Sequence, residues 1–284
     1  MAENTAVRVE EVAAPQTIAA AMVFLKRYPD AIPWSGGTLL MSGSDRTMED
    51  KPVSVLDLGG IPELGVINRS ERYLELGACV TLASVLALPS SLTLEPLRKA
   101  ITLIGTASVR NLATLGGNIA ARATFMTGFT ALACMDAAIE LRDVSGSRWA
   151  GIHTLISGQD TPTFPPATIL TRIRIPSAPW DATVIRQLGE PSRAEIVPSS
   201  FAASARFEKG TISELRIVAA GSKIVRDRAL ELSLIGKRLP LSAKDIEVAG
   251  EYSKAKAIEK GFDESRSRRY SAFVMAFLAF QDEA

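Results

Sequence analysis

Residues 105–120 read GTASVRNLATLGGNIA and contain a glycine pair flanked by threonine and asparagine. An earlier stretch, residues 31–39, reads AIPWSGGTL and places another glycine pair after a short extended run. Glycine has no Cβ, so its amide N–H can approach a phosphate oxygen closely and its φ can be positive. Successive amide N–H groups in such loops form a concavity that binds anions. The two loops together predict a diphosphate site that needs no lysine.

The spacing of these glycines alone leaves a purely structural role open. The chain has 20 glycines, and we interpret a third pair, Gly59 and Gly60, as a plain turn. No GxGxxG motif follows a strand, so a Rossmann dinucleotide site is unsupported. Residues 236–238 read GKR and lack the upstream glycine and the Ser/Thr of a Walker A loop. Phosphate transfer from ATP is therefore unsupported as well.

Composition excludes several classes of protein. Apolar residues make up 47% and charged residues 22%, close to the average of globular domains. Lys and Arg total 32 against 31 Asp and Glu, which gives a net charge of +1 and no basic surplus for wrapping nucleic acid. The longest apolar runs are much shorter than the roughly 20 residues that a membrane span needs. We therefore expect no nucleic-acid partner and no membrane span.

The chain has two cysteines, Cys79 and Cys134, and one histidine, His153. These are too few for a disulfide framework, a zinc site or an iron–sulfur cluster, so we expect no metal site on this chain. We interpret both cysteines as small buried residues of a reduced compartment. The first residues carry no basic stretch followed by an apolar one, which argues against a standard signal peptide and favours the cytoplasm.

The hydrophobic pattern predicts an α+β protein, with alternating helices and strands followed by runs of strands and then of helices. In the first part the pattern predicts helices over 16–28, 95–105 and 130–138 and strands over 53–58 and 73–80. The composition changes near residue 160, where prolines accumulate. Beyond it the pattern predicts strands over 183–188, 197–207 and 212–220 and helices over 223–235, 243–257 and 264–281. We therefore divide the chain into domains of residues 1–176 and 177–284.

The stretch of residues 105–120 closely resembles the hallmark, roughly QIRNxATIGGN, of one family of flavoproteins. This family is the FAD-binding medium subunit of molybdenum hydroxylases, which includes the flavoproteins of xanthine dehydrogenase and carbon monoxide dehydrogenase. Residues 35–40 match its first glycine loop, and residues 169–176 resemble the strand that closes its flavin domain. Residues 221–236 are similar to its C-terminal domain, so the resemblance covers nearly the whole chain.

The resemblance implies a fold and a set of cofactor contacts. Residues 1–176 would form an FAD-binding domain of two α+β subdomains, similar to vanillyl-alcohol oxidase. Residues 177–284 would form a C-terminal domain similar to the CO dehydrogenase flavoprotein, with a three-stranded antiparallel sheet and helices. The implied FAD contacts are Ser35, Gly36, Gly37, Thr38, Leu39, Thr114, Leu115, Gly116, Gly117, Asn118, Thr127, Leu170 and Arg186.

The resemblance also implies a division of labour between subunits. A molybdopterin-binding large subunit oxidises the organic substrate, and a small [2Fe-2S] subunit relays single electrons. FAD on the present chain collects them and delivers them to NAD+ or another acceptor. No catalytic side chain is expected here, because the flavin carries the redox chemistry.

The chain departs from the family pattern beyond the hallmark. Thr124 stands where the family has proline, and Thr127 stands where it has the aspartate credited with a flavin contact. Arg122 is an added cation that either compensates through charge-assisted bonds or is simply exposed. Arg186 occupies a position where many relatives have lysine. The missing acid leaves a second hypothesis open, a degenerate member that serves as an assembly scaffold with weak or no FAD binding. A third is a stand-alone flavin oxidoreductase.

Two further features have alternative interpretations. Trp34 either packs on the adenine of the cofactor or is a core aromatic residue at a strand end. Arg266, Arg268 and Arg269 either form a solvated helix start or belong to a surface that docks a sister subunit.

Overall fold

The computed structural model describes residues 9–42, 52–91, 93–120, 127–156, 164–189, 199–221 and 223–279. In these ranges the chain forms three sheets, each with its own set of helices. The α+β fold class predicted from the hydrophobic pattern is confirmed. The division at residue 177 stays a prediction.

The N-terminal sheet is parallel, with the strand order β1-β3-β2 in the described part of the chain. Its strands are β1 (Val9–Ala13), β2 (Ile32–Trp34) and β3 (Val53–Asp57). Helix α1 (Ile18–Arg27) connects β1 to β2, and the Thr17 hydroxyl caps its first turn by accepting the Ala20 N–H. Leu25 of α1 and Leu56 of β3 are buried together in the N-terminal core.

The central sheet is antiparallel, with the order β4-β5-β8-β6-β7 among the described strands. Its strands are β4 (Ile67–Arg69), β5 (Tyr73–Gly77), β6 (Ala138–Asp143), β7 (Gly146–Gly151) and β8 (Ile169–Pro176). Alternate residues such as Leu76, Ile139 and Ile173 are fully buried on one face, as the two-residue period of a strand requires. That face packs against helices in the largest core cluster.

Short helices cover this buried face. They are α2 (Leu82–Ala87), α3 (Glu95–Thr102), α4 (Ala107–Leu112), α5 (Leu115–Ala120) and α6 (Thr127–Cys134). Thr81 caps α2 and Thr106 caps α4, each with its side-chain oxygen. All eight residues of α6 are buried, so this helix lies in the interior. Within the described ranges, the structure contains no helix with the length and apolarity needed to cross a bilayer.

The C-terminal sheet is antiparallel, with the order β12-β11-β10-β9 in the residues described. Its strands are β9 (Ala182–Gln187), β10 (Ser200–Glu208), β11 (Thr211–Ala220) and β12 (Ile224–Arg226). Helices α7 (Arg228–Leu234), α8 (Ala243–Glu259) and α9 (Glu264–Leu278) complete this part. Helix α6 packs between this sheet and the central one, and the Thr130 and Ser200 hydroxyls are 2.7 Å apart.

The structure corrects three details of the sequence predictions. The three strands expected in the C-terminal sheet are present, but a fourth, β12, occupies the start of the helix predicted over 223–235. Helix α7 therefore begins only after β12, and Asp227 caps it by accepting the N–H groups of Ala229 and Leu230. The helix predicted over 130–138 ends at Cys134, because the chain turns at Asp136 with a positive φ of 51° and enters β6. The strand predicted over 73–80 ends at Gly77.

Candidate functional site

The first glycine segment, Ser35–Leu39, follows the end of β2. Gly37 has a φ of +64°, and a Cβ there would lie 2.3 Å from the Trp34 ring, so both backbone conformation and packing require glycine. The amide N–H groups of Gly36, Gly37 and Thr38 donate to no other part of the chain that the structure describes. These three donors are therefore available to an anion. Trp34 is half-buried against its own loop, and nothing in the structure tests its contact with adenine.

The second glycine segment, Thr114–Asn118, is not the loop that the sequence predicted. Its glycines lie in the first turn of α5, and Thr114 accepts the N–H of Gly117 at 3.2 Å. The N–H groups of Leu115 and Gly116 donate to the carbonyls of Val80 and Ala78, and that of Asn118 donates to Thr114. The amide groups of this segment are thus already bonded within the chain. Its contribution to an anion site must come from side chains, with Thr114 and Asn118 as the polar ones.

The first glycine segment is in direct contact with the backbone that immediately precedes the second. A Cβ on Gly36 would lie 1.9 Å from the Leu112 carbonyl oxygen and 3.2 Å from the Ala113 Cα. No side chain fits between them, because real Cβ contacts are essentially never shorter than about 3 Å. The first pair of glycines therefore lies immediately beside the start of the second segment, as a shared diphosphate site requires.

The connecting segment, Gly77–Leu82, holds this arrangement together. It runs between the N-terminal core and the larger core. Ala78 and Val80 are buried in the larger core, and Cys79 packs against the N-terminal core. The Leu82 N–H donates to Ala113, and Thr81 and Thr114 form an isolated β-bridge. A Cβ on Gly116 would lie 2.7 Å from Ala78, so glycine is needed for this close approach.

Gly117 differs from the other three glycines of the two segments. It is exposed, and a Cβ there would meet only Thr114 Oγ1, at 3.1 Å. The fold by itself therefore has little need of glycine at this position. An exposed glycine lets a ligand approach the backbone closely.

Asn118 and Thr127 lie deeper. Asn118 is 9% exposed, and its Oδ1 has no hydrogen-bond partner among the described residues. A Cβ on Gly128 would lie 2.4 Å from that oxygen, so the start of α6 packs directly on the Asn118 amide. Thr127, which replaces the family acid, is buried at the first position of α6. The other departures, Arg122 and Thr124, lie outside the described residues.

Leu170 and Arg186 lie on strands β8 and β9, and their contact with FAD stays a prediction. Leu170 is buried in β8, where it pairs with Leu141 and belongs to the same core cluster as Leu115. Arg186 is exposed on β9, and its guanidinium donates to the Ile185 carbonyl at 3.0 Å. It lines a groove of about 600 Å³ together with residues of α3 and α9. The described lining of that groove includes neither glycine segment.

The sequence analysis missed a cluster of charges that joins α6 to the C-terminal sheet. Asp136 accepts from Arg216 at 2.5 Å and from Arg226 at 2.7 Å. Burial would raise the pKa of Asp136, but the hydrogen bonds from Arg226 and Arg216 hold it below its ordinary value. Arg226 also binds Glu231, whose side chain is 0% exposed. Acids and bases that pair between distant elements leave no local signal in the sequence.

The arginine run lies in the first turns of α9. Arg266 and Arg268 pair with Asp263 and Glu264 in the first turns of the helix. Arg269 instead donates to the carbonyls of Leu188 and Gly189, just after β9. This arginine therefore fixes the end of the strand that carries Arg186.

Comparison with known families identifies the N-terminal part of the chain. The sequence model of the FAD-binding domain in molybdopterin dehydrogenase matches residues 7–178, which include both glycine segments. The chain belongs to this family. FAD is thus the cofactor of the family, and the FAD-binding domain of this chain contains the N-terminal and central sheets.

Individual relatives agree with this assignment. The chain is 31% identical over 150 residues to the nicotinate dehydrogenase FAD-subunit of Eubacterium barkeri, covering 51% of this chain and 50% of that one. The match therefore spans about half the length of this relative. The xanthine dehydrogenase FAD-binding subunit of Escherichia coli O157:H7 is 25% identical over 241 residues, covering 83% of this chain and 82% of that one.

A solved structure confirms the fold over nearly the whole chain. Reconstituted CO dehydrogenase from Oligotropha carboxidovorans contains a chain that superposes with a TM-score of 0.79 at 20% identity, covering 97% of this chain and 96% of that one. At this level of identity the similarity concerns the fold alone.

The residues present fit FAD by their own chemistry. The diphosphate of FAD is an anion, and the amides of Gly36, Gly37 and Thr38 are donors without a described partner. Gly117 adds an exposed stretch of backbone in the second segment. The buried Asn118 Oδ1 is an acceptor that lacks a donor among the described residues, and buried polar atoms normally have one.

Proposed function

We propose that this chain is the FAD-binding electron-transfer subunit of a molybdopterin-dependent hydroxylase or dehydrogenase. In this proposal the diphosphate of FAD binds to the free amides of the first glycine segment, on the side that faces solvent, with the second segment beside it. The observation that carries it is the direct contact of Gly36 with the Leu112 backbone, which brings both segments into one site. Family membership over residues 7–178 supports the choice of FAD over other diphosphates.

Each segment has a distinct part in binding. The amides of Gly36, Gly37 and Thr38 would donate to the diphosphate, with the Thr38 hydroxyl as a further donor at the edge. The second segment would offer the open backbone of Gly117 and the polar side chains of Thr114 and Asn118. Ser35, Leu39, Leu115 and Gly116 would shape the site. Thr127, Leu170 and Arg186 remain proposed contacts, and the structure places Leu170 in the core and Arg186 at a separate groove.

Bound FAD would supply the ability to accept electrons singly and release them in pairs. The protein provides the binding site and the surroundings of the flavin. The partners we propose are a molybdopterin-binding large subunit, a small [2Fe-2S] subunit as electron donor, and NAD+ as acceptor. CO dehydrogenase and xanthine dehydrogenase, whose chains resemble this one, support this choice. We also propose that the chain divides into domains between residues 176 and 177. A cytoplasmic location is a further proposal, supported by two cysteines that are both free.

The first test is the visible spectrum of the purified chain, followed by FAD titration if the chain is purified without cofactor. We expect a flavin spectrum at about one FAD per chain, with the cofactor released by heat identified as FAD. A folded chain that stays colourless in excess FAD would contradict the proposal. It would favour the alternative of a degenerate member that acts as an assembly scaffold.

The second test uses Gly117→Val, which puts a branched side chain on the open face of the second segment. We expect FAD binding to be abolished while the circular dichroism spectrum and melting temperature stay close to wild type. Gly65→Val is the matched control, because Gly65 is exposed and a Cβ there meets nothing within 4 Å. Normal FAD binding by Gly117→Val would remove the second segment from the site.

The acceptor is tested separately. The FAD-loaded chain, reduced anaerobically with dithionite, is mixed with NAD+ and the return of the visible flavin band is followed. We expect reoxidation by NAD+ without oxygen. If the reduced chain reacts only with oxygen or a quinone, that oxidant rather than NAD+ is the acceptor. The proposal that the chain binds FAD would be unaffected.

A further inference from the structure

Strand β9 is the edge of the C-terminal sheet. No strand in the described part of the chain pairs with its outer side, because the order is β12-β11-β10-β9. Leu188 and Ser199 extend the register of β9 and β10, and the Leu188 N–H donates to the Ser199 carbonyl. Along an antiparallel strand, residues that bond to the neighbouring strand alternate with residues whose N–H and C=O groups point away. The backbone groups of Thr183, Ile185 and Gln187 therefore point away from β10.

Two cations lie on the outward carbonyls of this edge. Lys99 Nζ of α3 donates to the Thr183 carbonyl and hydroxyl, each at 3.3 Å. The Arg186 guanidinium donates to the Ile185 carbonyl at 3.0 Å. The outward N–H groups of Thr183, Ile185 and Gln187 have no acceptor among the described residues. The edge thus has open donors beside carbonyls that are covered by flexible side chains.

The groove of about 600 Å³ that Arg186 lines follows this edge. Its lining includes residues of α3 and the half-buried Phe273 and Phe277 of α9. Ile185 is buried in the core cluster that contains α3, whereas Val184 packs in the cluster that contains α9. Neighbouring residues of a strand point to opposite faces of the sheet. The two helices therefore cover opposite faces, and the edge of β9 lies in the groove between them.

The shape of the groove selects its occupant. Open amides at every second residue match the repeat of an extended polypeptide, which is how a peptide adds to a sheet edge. A second copy of this chain does not fit, because its own β9 edge lies between the same two helices and these would collide. An isolated extended segment has no flanking helices and can enter. Phe273 and Phe277 offer it an apolar surface on the α9 side.

The charges of the groove define the segment further. Two acids belong to the lining, but Glu95 is paired with Lys99 at 3.6 Å and Asp181 accepts the Phe207 N–H at 2.8 Å. Arg186 is exposed and has no acidic partner among the described residues. The charge left open in the groove is therefore positive and favours a carboxylate on the segment.

We propose that the edge of β9 binds an extended, acidic and apolar segment of a partner protein, which joins the C-terminal sheet as a further strand. The N–H groups of the segment replace the two cations on the carbonyls of Thr183 and Ile185. Its own carbonyls accept the outward N–H groups of β9. Its apolar side chains pack on Phe273 and Phe277, and a carboxylate pairs with Arg186. Here Arg186 is assigned to the segment instead of to FAD, and the charge comparison below tests that assignment.

The probe is a synthetic heptapeptide with blocked ends, in which valine alternates with threonine and a glutamate stands at each end. Either direction of the strand then brings one glutamate to Arg186. Binding of the fluorescently labelled peptide to the purified full chain is measured by anisotropy. We expect saturable binding, and at least about threefold weaker binding of the same peptide with lysine at both ends.

Thr183→Pro tests the edge itself. Proline is tolerated on edge strands, and at this position it removes an outward N–H while the bonds between β9 and β10 remain. We expect at least about tenfold weaker peptide binding, because the ring also hinders the added strand. Thr183→Val is the matched control, since it keeps the N–H and loses only the hydroxyl, and we expect affinity within about twofold of wild type. Circular dichroism checks that both variants are folded.

Hydrogen exchange of the wild-type chain, resolved by residue with NMR, tests the same contact without a variant. The amides of Val184 and Arg186 bond to β10 and are expected to be protected with and without peptide. The amides of Thr183 and Gln187 point outward and are expected to exchange more slowly only when the peptide is bound.

Several results would overturn the inference. These are a wild-type chain that does not bind the glutamate peptide, equal affinity for the two peptides, equal binding by Thr183→Pro and Thr183→Val, or outward amides that the peptide does not protect. A wild-type chain that dimerises, with Thr183→Pro monomeric, would make a second copy the occupant and overturn it as well. The inference does not rest on FAD binding, so these results leave the proposed FAD site to its own tests.

Discussion

The α-carbon of Gly36 lies so close to the Leu112 carbonyl that a Cβ would come within 1.9 Å of the oxygen. The two residues belong to different subdomains, one following the N-terminal sheet and the other ending α4. In the proposed FAD site this contact, rather than either glycine pair alone, brings the first segment to the start of the second. Packing requires glycine at Gly36, whereas a Cβ on Gly117 would meet only Thr114 Oγ1.

Gly36→Ala is expected to destabilise the fold, because the added methyl must displace backbone rather than a flexible side chain. Forcing extra volume into a packed contact costs about 3 kcal/mol or more when neighbours cannot yield. Urea unfolding measures the loss. Gly117→Ala is the matched comparison, and we expect it to retain or slightly gain stability because alanine favours helix by about 1 kcal/mol. Equal stability of the two variants would contradict this distinction.

Glu231→Ala is expected to destabilise the C-terminal domain strongly. Glu231 is fully buried and accepts hydrogen bonds from the Ile217 amide, Arg226 and Arg228. Removing Glu231 leaves the buried Ile217 amide without its acceptor, at a cost of about 1–3 kcal/mol. Arg226 keeps Asp136 as a partner, so its charge stays compensated. Urea unfolding of Glu231→Ala against Glu231→Gln measures this, and the glutamine is expected to lose less because it keeps an acceptor. If Glu231→Ala lost no more unfolding free energy than a variant at an exposed position, this structural role of Glu231 would be contradicted.

Acid is expected to weaken the contact between α6 and the C-terminal sheet. Despite its burial, Asp136 has a pKa below the ordinary value because Arg226 and Arg216 stabilise the carboxylate. Its contribution to stability is therefore complete above the unfolded value of about 4 and is lost as the pH falls through the folded value. The melting temperature measured from pH 7 downward should fall more steeply in wild type than in Asp136→Asn. Parallel curves would contradict this role for Asp136.

Alkali is expected to destabilise the protein through buried acids that must stay neutral. Burial raises the pKa of the Cys134 thiol from 9.0 to about 12, and burial likewise raises that of the Tyr270 phenol. Stability from the neutral thiol is complete below pH 9.0 and is lost as the pH rises towards 12. Cys134→Ala should flatten the decline of unfolding free energy in this range. An unchanged slope would show that other groups cause the decline.

The local elements were accessible from the sequence because their signals lie within a few residues. Thr81 and Asp263 cap helices through their own next turns, and the strands β9 to β11 follow from short runs rich in apolar residues. The α+β class and the family hallmark follow from the same kind of short-range pattern. The strand β12 was missed because three residues are too few to show a period.

Short-range patterns in the sequence were enough to predict the fold class, most elements and the importance of the two glycine pairs. They could not predict that Gly36 meets the Leu112 backbone, or that the carbonyls of Ala78 and Val80 accept amides of the second segment. They also gave no sign of the ion pairs of Asp136 with Arg216 and Arg226. The physical reason is range. Capping, alternation and positive φ depend on neighbours along the chain, whereas these contacts arise when separately formed elements pack their buried faces together.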